Sequence, residues 1–150
     1  MKKIIAGLFI FVLVLGVASH AKLAIGVDTV ADANSLSLSY DFTDQVVGKV
    51  GLNYASIAGA SFTGYGVEVD YLLPVKWGAA TPLIGVDFNN DGAVVATTIL
   101  ALKLGVEAEV ANGVSLSTGI TPYVNATAAG ASVATTSTRG VWLGVYVDLN

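Results

Sequence analysis

The chain of 150 residues contains no cysteine and a single histidine, His20. The first absence excludes a disulfide framework, a thiolate metal site and a cysteine nucleophile. Charge is scarce as well. Only 12% of the residues are Asp, Glu, Lys or Arg, about half the share usual in a soluble globular chain. Seven basic residues against eleven acidic ones give a net charge of −4, which argues against nucleic acid as a partner. Beyond residue 21, no apolar run reaches the ~20 residues that a membrane-spanning helix needs. What the chain does have is apolar surface: 54% of its residues are hydrophobic and its mean hydropathy is +0.72. The length suits one domain. The composition suits a secreted, fibrous or membrane protein.

The first 21 residues read as an export signal. Lys2 and Lys3 precede an apolar stretch, Ile4 to Ala18, that is too short to span a bilayer. Ser19-His20-Ala21 then offers small residues at the two positions a signal peptidase reads. Cleavage after Ala21 removes the only histidine. It leaves residues 22–150 as the mature domain.

In that domain the dominant pattern is alternation, the period of a strand. Leu36, Leu38, Tyr40 and Phe42 interleave with Ser35, Ser37, Ser39 and Asp41; Val141, Leu143, Val145, Val147 and Leu149 interleave with Gly140, Trp142, Gly144, Tyr146 and Asp148. The same reading along the chain gives eight strands, at 22–29, 35–43, 46–56, 63–73, 79–88, 94–109, 114–124 and 140–149. Turn-forming clusters such as Thr43-Asp44, Asn89-Asn90-Asp91-Gly92 and Asn112-Gly113 separate them. The expected fold is all-β: an eight-stranded antiparallel up-and-down barrel. Its connections are expected to be short on one rim and longer on the other, with 125–139 the longest.

The distribution of charge says which face meets what. Lys22, Asp28, Asp41, Lys49, Glu68, Asp70, Asp87, Lys103, Glu107, Glu109 and Asp148 all fall on the face that also carries small residues. Asp32, Asp44, Lys76, Asp91 and Arg139 fall in connections, and none falls on the apolar face. Alternation alone fits a soluble ligand-binding barrel with an apolar interior as well as a membrane barrel with an apolar exterior. Two features favour the membrane. The charged face is rich in glycine, including Gly26, Gly51, Gly66, Gly85, Gly105 and Gly144. Glycine weakens a solvent-facing strand but suits the crowded interior of a small barrel. The aromatics of the apolar face divide between the two ends, with Tyr40, Phe42, Tyr71 and Trp77 at one and Tyr54, Tyr65 and Phe88 at the other. Amphipathic rings collect at the two membrane interfaces in this way.

An export signal, eight alternating strands and a charged lumen resemble the small eight-stranded outer-membrane barrels, the OmpA/OmpX-like family. The run Tyr40-Asp41-Phe42-Thr43-Asp44 leading into Gly48-Lys49-Val50-Gly51-Leu52-Asn53-Tyr54 is similar to a hairpin common in that group. The end, Asp148-Leu149-Asn150, departs from the aromatic terminus usual there. The resemblance implies an outer-membrane location. It also implies membrane lipid, lipopolysaccharide and the outer-membrane insertion machinery as partners.

Chemistry is sparse. Barrels of this kind that act as enzymes lean on a histidine paired with Ser, Asp or Glu, and residues 22–150 contain none. Glu68 with Asp70, and Glu107 with Glu109, could form acid–base couples. The expectation is instead a lumen charge network of Lys49, Glu68, Asp70, Lys103 and Glu107, because unpaired charge in a dry lumen is costly. Asp87-Phe88-Asn89-Asn90-Asp91-Gly92 matches the first half of a calcium loop, but Thr98 stands where the bidentate carboxylate should be. A connection built from Asx turns accounts for it. No cofactor, metal or catalytic residue is expected. The functional expectation is a structural or surface-interaction barrel, with a surface ligand received by 125–139; a narrow pore and a soluble binding barrel are the alternatives.

Overall fold

A computed structural model describes residues 22–30, 33–57, 60–92, 97–128, 131–135 and 140–149. The proposed signal segment and Arg139 lie outside the described residues. The strands are β1 (Leu23–Val30), β2 (Ala33–Asp41), β3 (Val46–Ile57), β4 (Ala60–Leu72), β5 (Ala80–Asn90), β6 (Thr97–Ala111), β7 (Val114–Ala128), β8 (Ala131–Thr135) and β9 (Gly140–Asp148). Each of β1 to β7 pairs antiparallel with its successor. β8 pairs with the last residues of β7, β9 with the first, and β9 closes the ring on β1. Since β8 and β9 occupy successive lengths of one position beside β7, the wall is a closed eight-stranded barrel.

The starts of β1 and β3, the ends of β2 and β9, and the connections 42–45, 73–79 and 112–113 share one rim, here called the terminal rim. At Asn112-Gly113 the reversal takes two residues, and Gly113 adopts φ +71°, the left-handed conformation such a tight hairpin demands. The opposite, far rim departs from expectation. Its connections are not systematically longer, since β1–β2, β3–β4 and β7–β8 are separated by two residues each. The stretch 125–139 is largely not a loop, because Asn125–Ala128 and Ala131–Thr135 pair as a hairpin. Its small residues hide the alternation that longer apolar side chains would have displayed.

Alternation sorts the side chains inside out. Val69 is 50% exposed, whereas Lys49 is 3% and Lys103 0% exposed. Ile25, Val27, Leu36, Leu52, Val67, Ile84, Val86, Leu100, Leu143 and Val147 are likewise exposed on the outer wall. The soluble-barrel alternative needs these side chains packed inside, so this arrangement overturns it. Both strand prolines are accommodated. Pro122 lies in β7 between the pairs Leu102↔Tyr123 and Leu104↔Ile120, where two residues of β7 oppose one of β6; a bulge leaves a residue unpaired, so the missing N–H is not needed. The Pro82 carbonyl accepts from the Leu73 N–H at 2.8 Å. Its own nitrogen therefore faces the same side, beyond the end of β4, and the ladder to β6 is intact.

Candidate functional site

Within the lumen, pairing register decides which charges meet. Lys49 on β3 lies opposite Glu68 on β4, and Asp70 follows on the same face. Lys103 on β6 lies opposite Gly85, which in turn lies opposite Asp70. A Cβ at Gly85 would run into Asp70 Oδ1, so the glycine opens the space in which Lys103 reaches across β5. Lys49 Nζ donates to Glu68 Oε1 at 2.7 Å and to Asp70 Oδ2 at 2.6 Å. Lys103 Nζ forms an ion pair with Glu68 Oε1 at 2.6 Å and stands 3.9 Å from Asp70 Oδ2.

Two aromatic side chains complete this cluster. Lys103 Nζ lies 3.8 Å from the centroid of the Trp142 ring, and Lys49 Nζ 4.6 Å from that of Tyr146. Desolvation strengthens such cation–π contacts, and both aromatics are buried. The Tyr146 hydroxyl donates to Asp28 Oδ2 at 2.7 Å, while Ser35 and Ser37 donate to the same carboxylate at 2.5 and 2.8 Å. Asp28 thus receives three O–H bonds and needs no cation. Beyond it, Asn53 Nδ2 donates to Asn89 Oδ1 at 2.8 Å, and Asn89 donates to Asp87. A continuous polar chain therefore crosses the lumen from Asp28 through Tyr146, Lys49, Glu68 and Asp70 to Lys103 and Trp142. Trp142 in turn packs on Leu83, with Leu72 beside it.

Glycines create room for these rings. A Cβ on Gly26 would strike the Tyr146 ring, and one on Gly105 the Trp142 ring. The lumen is consequently filled at mid-height. A void of about 10 Å³ lies among Asp28, Ser37, Lys49, Glu68, Asp87 and Asn89, enough for about one water. At the terminal rim a vestibule of about 210 Å³ is lined by Lys22, Asp41, Lys76, Glu107, Glu109 and Asp148, among others.

Of the five residues expected to form the charge network, the structure brings together Lys49, Glu68, Asp70 and Lys103. Glu107 stands apart in the vestibule, because four residues of strand separate it from Lys103 by ~13 Å. Asp28, expected on this face but not in the network, and Asn89, expected only in the half calcium motif, join the lumen network with Asn53, Trp142 and Tyr146. The available signal was parity: large aromatics on the small-residue face, flanked by Gly140 and Gly144. Asp87 faces the lumen, Asn90 Oδ1 accepts from the Gly92 N–H at 3.0 Å, and Asp91 Oδ1 accepts from the Thr97 N–H at 2.9 Å. The half calcium motif is thus engaged in strand and connection. Among the described residues no group of three or more His, Cys, Asp or Glu is arranged to hold a metal.

On the outer wall, Tyr40 and Phe42 pack edge to face with centroids 5.1 Å apart. Phe42, Tyr71 and Trp77 are exposed toward the terminal rim, and Tyr65 and Phe88 toward the far rim. The side chain of Tyr54 lies outside the described residues.

No family model matches the chain, and no curated protein matches it. Among solved structures it is similar to the crystal structure of the N-terminal β-barrel domain of Pseudomonas aeruginosa OprF. The TM-score is 0.57 at 11% sequence identity, over 86% of this chain and 96% of that one. The two share the fold of a closed, eight-stranded antiparallel β-barrel.

Proposed function

We propose that the chain is an integral outer-membrane protein whose closed barrel serves a structural or surface-interaction role. The observation that carries this reading is the inversion of the usual interior: exposed Val, Leu and Ile form the outside of the wall, and an ion-paired cluster fills the inside. Such a wall is costly in water and favourable in hydrocarbon. The lumen cluster acts mechanically. It holds β1, β3, β4, β6 and β9 to one another through side chains, so the barrel resists collapse without conducting. The terminal rim faces the periplasm in this reading. The far rim then meets lipopolysaccharide and the exterior, and the outer-membrane insertion machinery is the route by which the chain arrives. A surface ligand would meet the paired β7–β8 hairpin rather than an open loop.

Cell fractionation followed by electrophoresis in detergent, with and without boiling, tests this. The expected result is recovery with outer membranes and a band that shifts on boiling. Recovery in buffer without detergent would contradict it. A second reading, a narrow pore, draws on the vestibule that enters the lumen from the terminal rim. The filled mid-lumen opposes it, and planar-bilayer recording decides: discrete current steps from the unaltered chain favour the pore.

A further inference from the structure

The β4–β5 connection carries an apolar surface that the strands alone do not require. Along the outward face of β4, the apolar stripe begins at Tyr65, since the next outward position above it is the exposed Thr63. It runs through Val67 and Val69 to Tyr71. Six residues of strand cover ~20 Å, and a strand tilt near 40° reduces this to a height of about 15 Å, short of the ~25 Å apolar band of a membrane barrel. β6, by contrast, presents Leu100, Leu102, Leu104, Val106, Ala108 and Val110, whose ten-residue span supplies about 25 Å on the same arithmetic. The outward stripe of β4 is therefore too short by itself.

The turn makes up the difference. Leu73, Val75 and Trp77 continue the outward parity of β4, and Val75 and Trp77 are 51% and 69% exposed. Lys76, between them, points the other way and lines the vestibule. The conformation is held by the backbone. Trp77 and Ala80 exchange two hydrogen bonds, at 2.8 and 3.2 Å, and Gly78 between them takes φ +66°. A rigid turn that keeps a valine and a tryptophan on the outer side needs an apolar neighbour. Of the other two terminal-rim connections, 42–45 carries one exposed aromatic, Phe42, beside the polar Thr43-Asp44-Gln45, and Asn112-Gly113 is polar.

We infer that the Val75–Trp77 turn is seated in the bilayer, with phospholipid of the leaflet at the terminal rim as its partner, so that the barrel sits deeper on its β4–β5 side. Continuity identifies the occupant: on the outward side the turn prolongs the apolar stripe of β4 through Leu73, Val75 and Trp77. The indole belongs at the headgroup boundary, where an apolar ring with one N–H is best placed. The inference rests on the membrane reading proposed above.

Because the chain has no cysteine, single labels test this without background. Val75→Cys and, as reference, Asp44→Cys each carry an environment-sensitive NBD fluorophore, and the full chain is refolded into phosphatidylcholine nanodiscs at one copy per disc. The expected result is blue-shifted emission at position 75 with several-fold weaker quenching by acrylamide than at 44, and stronger quenching by doxyl-labelled phospholipid. Equal acrylamide quenching at the two positions, in samples whose band still shifts on boiling, overturns this inference and leaves the barrel reading intact. Shielding of position 75 only in discs holding two copies assigns the turn to a second chain and also overturns it. Loss of both the boiling shift and the shielding overturns both readings together.

Discussion

The Lys103 ammonium lies 3.8 Å from the centre of the Trp142 ring, and neither side chain is exposed. That contact joins the ionic layer of the lumen to its apolar layer. The indole face and the Glu68 carboxylate, 2.6 Å from Nζ, together compensate the charge of Lys103. Replacing Trp142 with alanine removes a buried ring and one partner of a buried cation. The expected cost is ~3–5 kcal/mol, read as a lower urea midpoint in detergent micelles, with Trp142→Phe losing less because a ring face remains.

Lys49 holds both Glu68 and Asp70 at hydrogen-bond distance, 2.7 and 2.6 Å. A buried ion pair adds little net stability over an apolar substitute, yet breaking one side leaves uncompensated charge at about 3–5 kcal/mol. Lys49→Met is expected to destabilise by that amount. Adding Asp70→Asn should restore part of the loss, so the double variant is more stable than the sum of the single effects allows. Strict additivity in urea unfolding would show that the two side chains are not coupled.

Solvent ions cannot screen charges that solvent does not reach. The unfolding midpoint should therefore change little between low and high sodium chloride, although the chain carries several lumen ion pairs. A marked fall with salt would place Lys49, Glu68 and Lys103 in contact with water.

Gly26 and Gly105 make room for rings, and a side chain at either position must displace one. Gly26→Val should drive the Tyr146 ring aside, break its bond to Asp28 and cost ~1–3 kcal/mol through overpacking. Tyrosine absorbance or near-ultraviolet dichroism of the folded variant should register the altered environment of Tyr146.

Much of the wall was legible because alternation is a direct image of a surface with two solvents. Parity alone placed Lys49, Glu68, Asp70 and Lys103 on one side and Val69 and Leu102 on the other. Parity does not give register. That Lys103 shares a carboxylate with Lys49, while Glu107 stands in the vestibule, follows from pairing across β5 and from the missing side chain of Gly85. Trp142 and Tyr146 had the correct parity too. Their role depends on Gly26 and Gly105, which lie on other strands and become neighbours only when the barrel closes. The β7–β8 hairpin was hidden for another reason: Asn125 to Thr135 is almost all small residues, whose alternation carries little hydrophobic contrast.

The direction of the wall is tested most directly by a photoactivatable carbene reagent dissolved in the bilayer, with labelled positions on β4 mapped by mass spectrometry. Labelling is expected at Tyr65, Val67, Val69 and Tyr71 and none at Gly66, Glu68 and Asp70. Labelling of the opposite parity, or none along β4 in a folded sample, would contradict it.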